Sequence, residues 1–106
     1  PEGTVATNVT IGGRSPFAGS KVAELSPRLA QRLQLAAETK GVAIVDIDRN
    51  SPAADFGFRP GDIVREVNGV EIDTAQKLAE AAGQDTRWWR FTVERNGQVI
   101  RQMLRY

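Results

Sequence analysis

The sequence predicts a mainly β, α+β domain: a partly closed barrel or sandwich of roughly five to seven strands, with two helices covering its openings. Three observations predict it. Asn68-Gly69 and Asn96-Gly97 each sit between apolar runs and mark tight turns. Ser26-Pro27 and Ser51-Pro52 are helix starts, with serine as the cap and proline in the first helical position. Val42-Ala43-Ile44-Val45-Asp46-Ile47 is β-branched and mostly apolar, as a central strand is.

The elements follow in order. Thr4 to Ile11, rich in Thr and Val, reads as a strand. Gly12 to Pro16 is loop composition, and Ser20 to Leu25 is a short strand. Leu29 and Leu33, with Ala30 or Ala37, recur at helical spacing and predict a helix over 27–35. After the central strand, Pro52 to Phe56 is a helix of little more than one turn, which Gly57 ends. Pro60-Gly61 suits a type II turn, because proline presets φ at the second position and glycine takes positive φ at the third. A strand over 62–67 and the short run Val70-Glu71-Ile72 flank Asn68-Gly69. Asp73 and Gln76 form a capping-box-like pair opening a helix from Thr74 to Ala82, which Gly83 ends. Asn96-Gly97 joins strands over 87–95 and 98–105. A two-residue turn there sets Val93 opposite Ile100 and Trp89 opposite Leu104.

Composition bounds the function. The chain has 106 residues, enough for one domain with a modest core. Its 41% hydrophobic and 25% charged residues are those of an ordinary globule. A net charge of +1 points to no nucleic-acid partner. Arginines at 87, 90, 95, 101 and 105 gather late in the chain and read as a solvated sheet face. With no histidine and no cysteine, the chain holds no Ser-His-Asp or Cys-His centre and no histidine-ligated zinc. No cofactor is implied, and no apolar run approaches the roughly 20 residues of a membrane span. The chain begins at Pro1 and is expected to be a piece of a longer protein.

Gly57 to Gly69 resembles the G-Φ-x-x-G-D-x-I-x-x-Φ-N-G segment of PDZ domains, where Φ is apolar. The resemblance is closest to the PDZ domains of bacterial HtrA/Do-like (DegP/DegQ-type) periplasmic serine proteases. Gly41 to Val45, Ser51-Pro52-Ala53-Ala54, the helix containing Leu78 and Phe91 to Gly97 fall in the same family order. Ser15 to Gly19, paired with a late Trp-Arg-Phe-Thr-Val strand, looks like the second PDZ domain of that family. The resemblance implies the bacterial, circularly permuted strand order, with residues 13–106 as one domain and 1–12 as an N-terminal strand or linker. It also implies a periplasmic location.

What the resemblance implies about function is peptide binding without catalysis. An extended polypeptide or a protein C-terminus would add as a strand, main-chain bonds giving affinity and side-chain pockets giving selectivity. A loop of backbone N–H groups would hold a terminal carboxylate. The candidate loop is Phe17, Ala18, Gly19 and Ser20, and the candidate edge strand continues through Lys21, Val22 and Ala23. Ala75, Leu78, Ala79 and Ala82 share one face of the facing helix and form a shallow, open groove wall. Arg14 and Lys21 are cations placed to aid an anionic terminus. Ala18 and Ser20 depart from the family's bulkier apolar residues. The lost contact, at about 25 cal/mol per Å2, weakens carboxylate-linked capture or admits internal segments. Asp62 reads as a turn and strand cap rather than an acid catalyst. Asp46 and Asp48 read as solvated carboxylates rather than a metal site. The expected partners are therefore such peptides and an attached protease domain, with room for a homo-oligomer through the parent protein. The alternative is an assembly element whose groove is filled by another subunit or by a flanking segment.

Overall fold

The computed structural model describes residues 8–12, 15–84 and 86–105. Its elements are β1 (Val9–Thr10), β2 (Ser20–Glu24), α1 (Pro27–Arg32), β3 (Val42–Ile47), α2 (Pro52–Asp55), β4 (Ile63–Val67), β5 (Val70–Glu71), α3 (Ala75–Ala82), β6 (Trp88–Arg95) and β7 (Gln98–Arg105). This is the predicted order, element for element. The strands form one antiparallel sheet in the order β1-β2-β3-β4-β6-β7, with β5 paired to β4. Of the three helices, α2 is the single turn expected over Pro52 to Phe56.

The turns behave as their residues require. Gly61 has φ +97°, and the Asp62 N–H donates to the Arg59 carbonyl at 3.1 Å, closing the type II turn. Asn96 and Gly97, at φ +52° and +80°, close the β6–β7 hairpin. Its register is the expected one, Val93 opposite Ile100 and Trp89 opposite Leu104.

Several boundaries move for local reasons. The helix expected over 27–35 ends at Arg32. Gln34 turns left-handed at φ +62°, and the Leu35 N–H reaches back to the Ala30 carbonyl at 2.7 Å. Thr74, not Asp73, caps α3: its side chain accepts from the Lys77 N–H at 3.0 Å. Asp73 instead pairs with Lys77, four residues on, and Gln76 donates to Glu80. Of the strand expected over 4–11, residues 4–7 lie outside the described residues, and Val9–Thr10 are its regular part.

The core joins β2, β3, β4, β6 and α3 through Val22, Ile44, Val64, Val67, Leu78, Trp89 and Val93. Phe17, Phe58 and Phe91 form a ring cluster beside them, with centroids 4.9–5.4 Å apart. Among the described residues, Asp62 is the buried charged side chain. Its carboxylate accepts from the Arg59 N–H at 3.0 Å and from the Arg95 guanidinium at 2.7 and 2.8 Å. Those hydrogen bonds, opposed by burial and helped by charge attraction, hold the Arg95 pKa above the ordinary arginine value. A raised Arg95 pKa means that, on the arginine side, the pair's contribution is fully present below the ordinary arginine range and is lost only as strong alkali deprotonates Arg95. Asp62 is thus the predicted cap, with a charged partner added from β6.

Candidate functional site

The loop from Ser15 to Ser20 is built inward. Phe17 is fully buried against Phe58, and Ala18 and Ser20 are buried beside it. Gly19 has φ +90°, and any Cβ there would overlap the Ser51 side chain. Glycine is required twice over, by conformation and by space. Ser51 caps α2, accepting from the Ala54 N–H at 3.3 Å and donating to the Asp48 carbonyl at 2.6 Å. The Ala53 N–H donates to the Ala18 carbonyl at 3.1 Å, and the Asp48 N–H to the Gly19 carbonyl at 3.0 Å. The Ser51-Pro52-Ala53-Ala54 block is therefore a buttress for the loop.

Three of the loop's N–H groups are engaged within the loop. Phe17 N–H donates to Ser15 Oγ at 3.2 Å, Ala18 N–H to the Ser15 carbonyl at 3.1 Å and Ser20 N–H to the Phe17 carbonyl at 3.0 Å. Gly19 N–H alone points to another segment: it donates to the Ile11 carbonyl at 2.8 Å, while the Ile11 N–H donates to the Ser20 carbonyl at 2.8 Å. β1 continues this ladder, with Thr10 opposite Lys21 and Val9 opposite Val22. β1 also packs against α3. Ile11 is 2% exposed, and Val9 is partly buried against the same core.

Known proteins match this arrangement. A family model described as PDZ domain matches residues 44–87. A probable periplasmic serine endoprotease, DegP-like, from Chlamydia muridarum (strain MoPn / Nigg) is 33% identical over 87 residues, 78% of this chain and 17% of the relative. The solved HtrA-type protease AlgW with decapeptide superposes with a TM-score of 0.71 at 29% identity, over 82% of this chain and 27% of that one. The chain is a PDZ domain. The HtrA3 PDZ domain bound to a phage-derived ligand (FGRWV) shares the fold, with a TM-score of 0.66 at 19% identity over 95% of this chain and 86% of that one. The PDZ domain described here thus spans a small part of the curated proteases it resembles.

Among the expected site residues of this PDZ domain, the structure brings together Phe17 to Ala23 and the α3 face. Lys21 is exposed, whereas Val22 and Ala23 are buried. Ala75, Leu78 and Ala82 are buried, and Ala79 is partly so. Arg14 lies outside the described residues. Two expectations change. β2 is not the edge of the sheet, because β1 lies outside it. The groove beside α3 is not open either, because β1 and Ile11 pack there. Two residues escaped the sequence reading. Ser15 accepts two loop N–H groups, and its place before Pro16 was the only hint. Ile11 ends an alternating Val-Thr-Ile run whose pattern predicts a strand but names no partner for it.

Outside the groove, Arg90, Arg101 and Arg105 are exposed on the β6–β7 sheet, as a solvated face requires, while Arg95 turns to Asp62. Asp46 and Asp48 are exposed and accept from the nearby Ile47 and Asn50 N–H groups. Among the described residues, no helix is long and apolar enough to cross a membrane.

Proposed function

We propose that this PDZ domain is a non-catalytic, peptide-binding module of a periplasmic HtrA-like serine protease, the second of its PDZ domains. It tethers substrates to the attached protease or regulates it. The module proper is residues 13–106, and of the residues before it, those described from 9 to 11 pair along β2 and its loop. The observation that carries this reading is strand addition: β2, under α3, pairs with an extended segment that buries alternate apolar side chains. Such a groove reads backbone first and side chains second. The names of the relatives, serine proteases in which such domains reside, support the attachment. Single-groove binding of this kind is weak, and multiple copies in an oligomer would strengthen it.

The test is a titration of a random peptide library, with free and amidated C-termini, followed by amide NMR. Saturable shifts at Lys21, Val22 and Ala79 are expected. No binding by any peptide sinks the reading.

The occupied edge favours a second reading, an assembly element whose groove is filled by a flanking segment or another subunit. Light scattering across a concentration series separates the two occupants. A monomer at all concentrations leaves the chain's own segment.

A further inference from the structure

We infer that Asn8 to Ile11 is a resident pseudo-ligand, an internal strand that any peptide must displace, and that its own pattern defines the peptide class. The inference rests on the peptide-binding reading above and adds its regulation and specificity. Ile11 ends the occupied register: its carbonyl receives the outward-pointing Gly19 N–H of the loop, and its side chain is buried. Val9 is the second anchor, and Thr10 between them is exposed. That is the in-out-in alternation of a strand laid in a groove.

The attachment is slight. Among the described residues, β1 is a two-residue strand paired on one side only, and Gly12 beyond it is exposed, where an added Cβ would meet no described atom. A segment held by a few backbone bonds and two side chains can be exchanged for another segment making the same contacts. While resident, it lowers apparent affinity by the fraction of time the groove is closed.

The loop also sets what is recognised. A carboxylate is held by several converging N–H donors. Here, among the described residues from Phe17 to Ser20, Phe17, Ala18 and Ser20 spend theirs inside the loop, and Gly19 points out of it. One donor suffices for a carbonyl. The groove therefore takes aliphatic-x-aliphatic segments, such as Val-x-Ile, without needing a free C-terminus.

The probe is a fluorescein-labelled hexapeptide of the sequence of residues 6–11, Ala-Thr-Asn-Val-Thr-Ile, as the free acid and as the amide. It is titrated into the full chain and into Ile11→Ala, Ile11→Asp and Ile11→Val. Ile11→Ala and Ile11→Asp are expected to bind it about tenfold or more tightly than the parent, and Ile11→Val like the parent. Acid and amide should agree within about threefold, since both offer the Gly19 N–H the same single acceptor. Equal binding by parent and Ile11→Ala overturns the resident strand but leaves peptide binding standing. A strong preference for the acid overturns the predicted class. No binding by the parent, by any variant or by the library overturns both readings. Should Ile11→Asp fail to fold, the parent's NMR spectrum decides: Ile11 and Gly19 amides must shift together as peptide is added, and binding that leaves them unmoved overturns the inference.

Discussion

The two edges of the sheet are closed in opposite ways. At one edge β1 is two residues long, tucked beside α3, and anchored by Ile11. At the other, β7 is eight residues long, and no described strand pairs with its far side. The first edge is covered by apolar packing. The second carries Arg101 and Arg105 beside exposed Val99 and Met103, the charged kind of edge that discourages further strands. One sheet thus separates an edge built to accept a strand from an edge built to refuse one.

The largest expected break comes at the loop behind the covered edge. Gly19→Ala puts a side chain at positive φ and into Ser51. It should cost roughly 3 kcal/mol or more. A thermal melt measures the loss, and a wild-type melting temperature would refute the close packing of loop on α2. Next is Arg95→Ala, which acts on the open-edge hairpin. It leaves buried Asp62 with one N–H partner and should cost roughly 2–4 kcal/mol in urea unfolding at neutral pH. Changing Asp62 to Asn in the same background should recover part of that loss, because the stranded charge is then gone.

Much of this was legible in the residues. Asn96-Gly97 set the β6–β7 register, because a two-residue turn leaves one way to pair Val93 with Ile100. Ser51-Pro52 and Pro60-Gly61 placed α2 and its following turn by local chemistry alone. What was not legible depended on long-range contact. Nothing local says that the Gly19 N–H meets the Ile11 carbonyl, or that Arg95 crosses to Asp62, 33 positions away. The choice between Asp73 and Thr74 as cap was a one-residue question. It was decided by Thr74 reaching the Lys77 N–H while Asp73 took the Lys77 ammonium.

Smaller effects sharpen the contrast. Ser51→Ala removes a cap and the loop's buttress, and should cost about 1 kcal/mol by chemical denaturation. It should also loosen β1, seen as faster hydrogen exchange at Gly19. Arg101→Val at the open edge should change stability by less than about 0.5 kcal/mol, because the side chain is exposed. Its consequence should instead be association: sedimentation velocity is expected to show more concentration-dependent association than the parent does.

Trp88 and Trp89 are neighbours in sequence on opposite faces of β6. The first is 59% exposed; the second is fully buried, with an indole N–H that finds no hydrogen-bond partner among the described residues. Indole emission moves to the blue as its surroundings lose polarity. The pair is therefore a natural two-signal optical reporter. Trp88 should emit to the red and be quenched by iodide, and Trp89 should emit to the blue and be protected from it. Loss of the blue component alone would register loosening of the core under β6 while the outer face stays as it was.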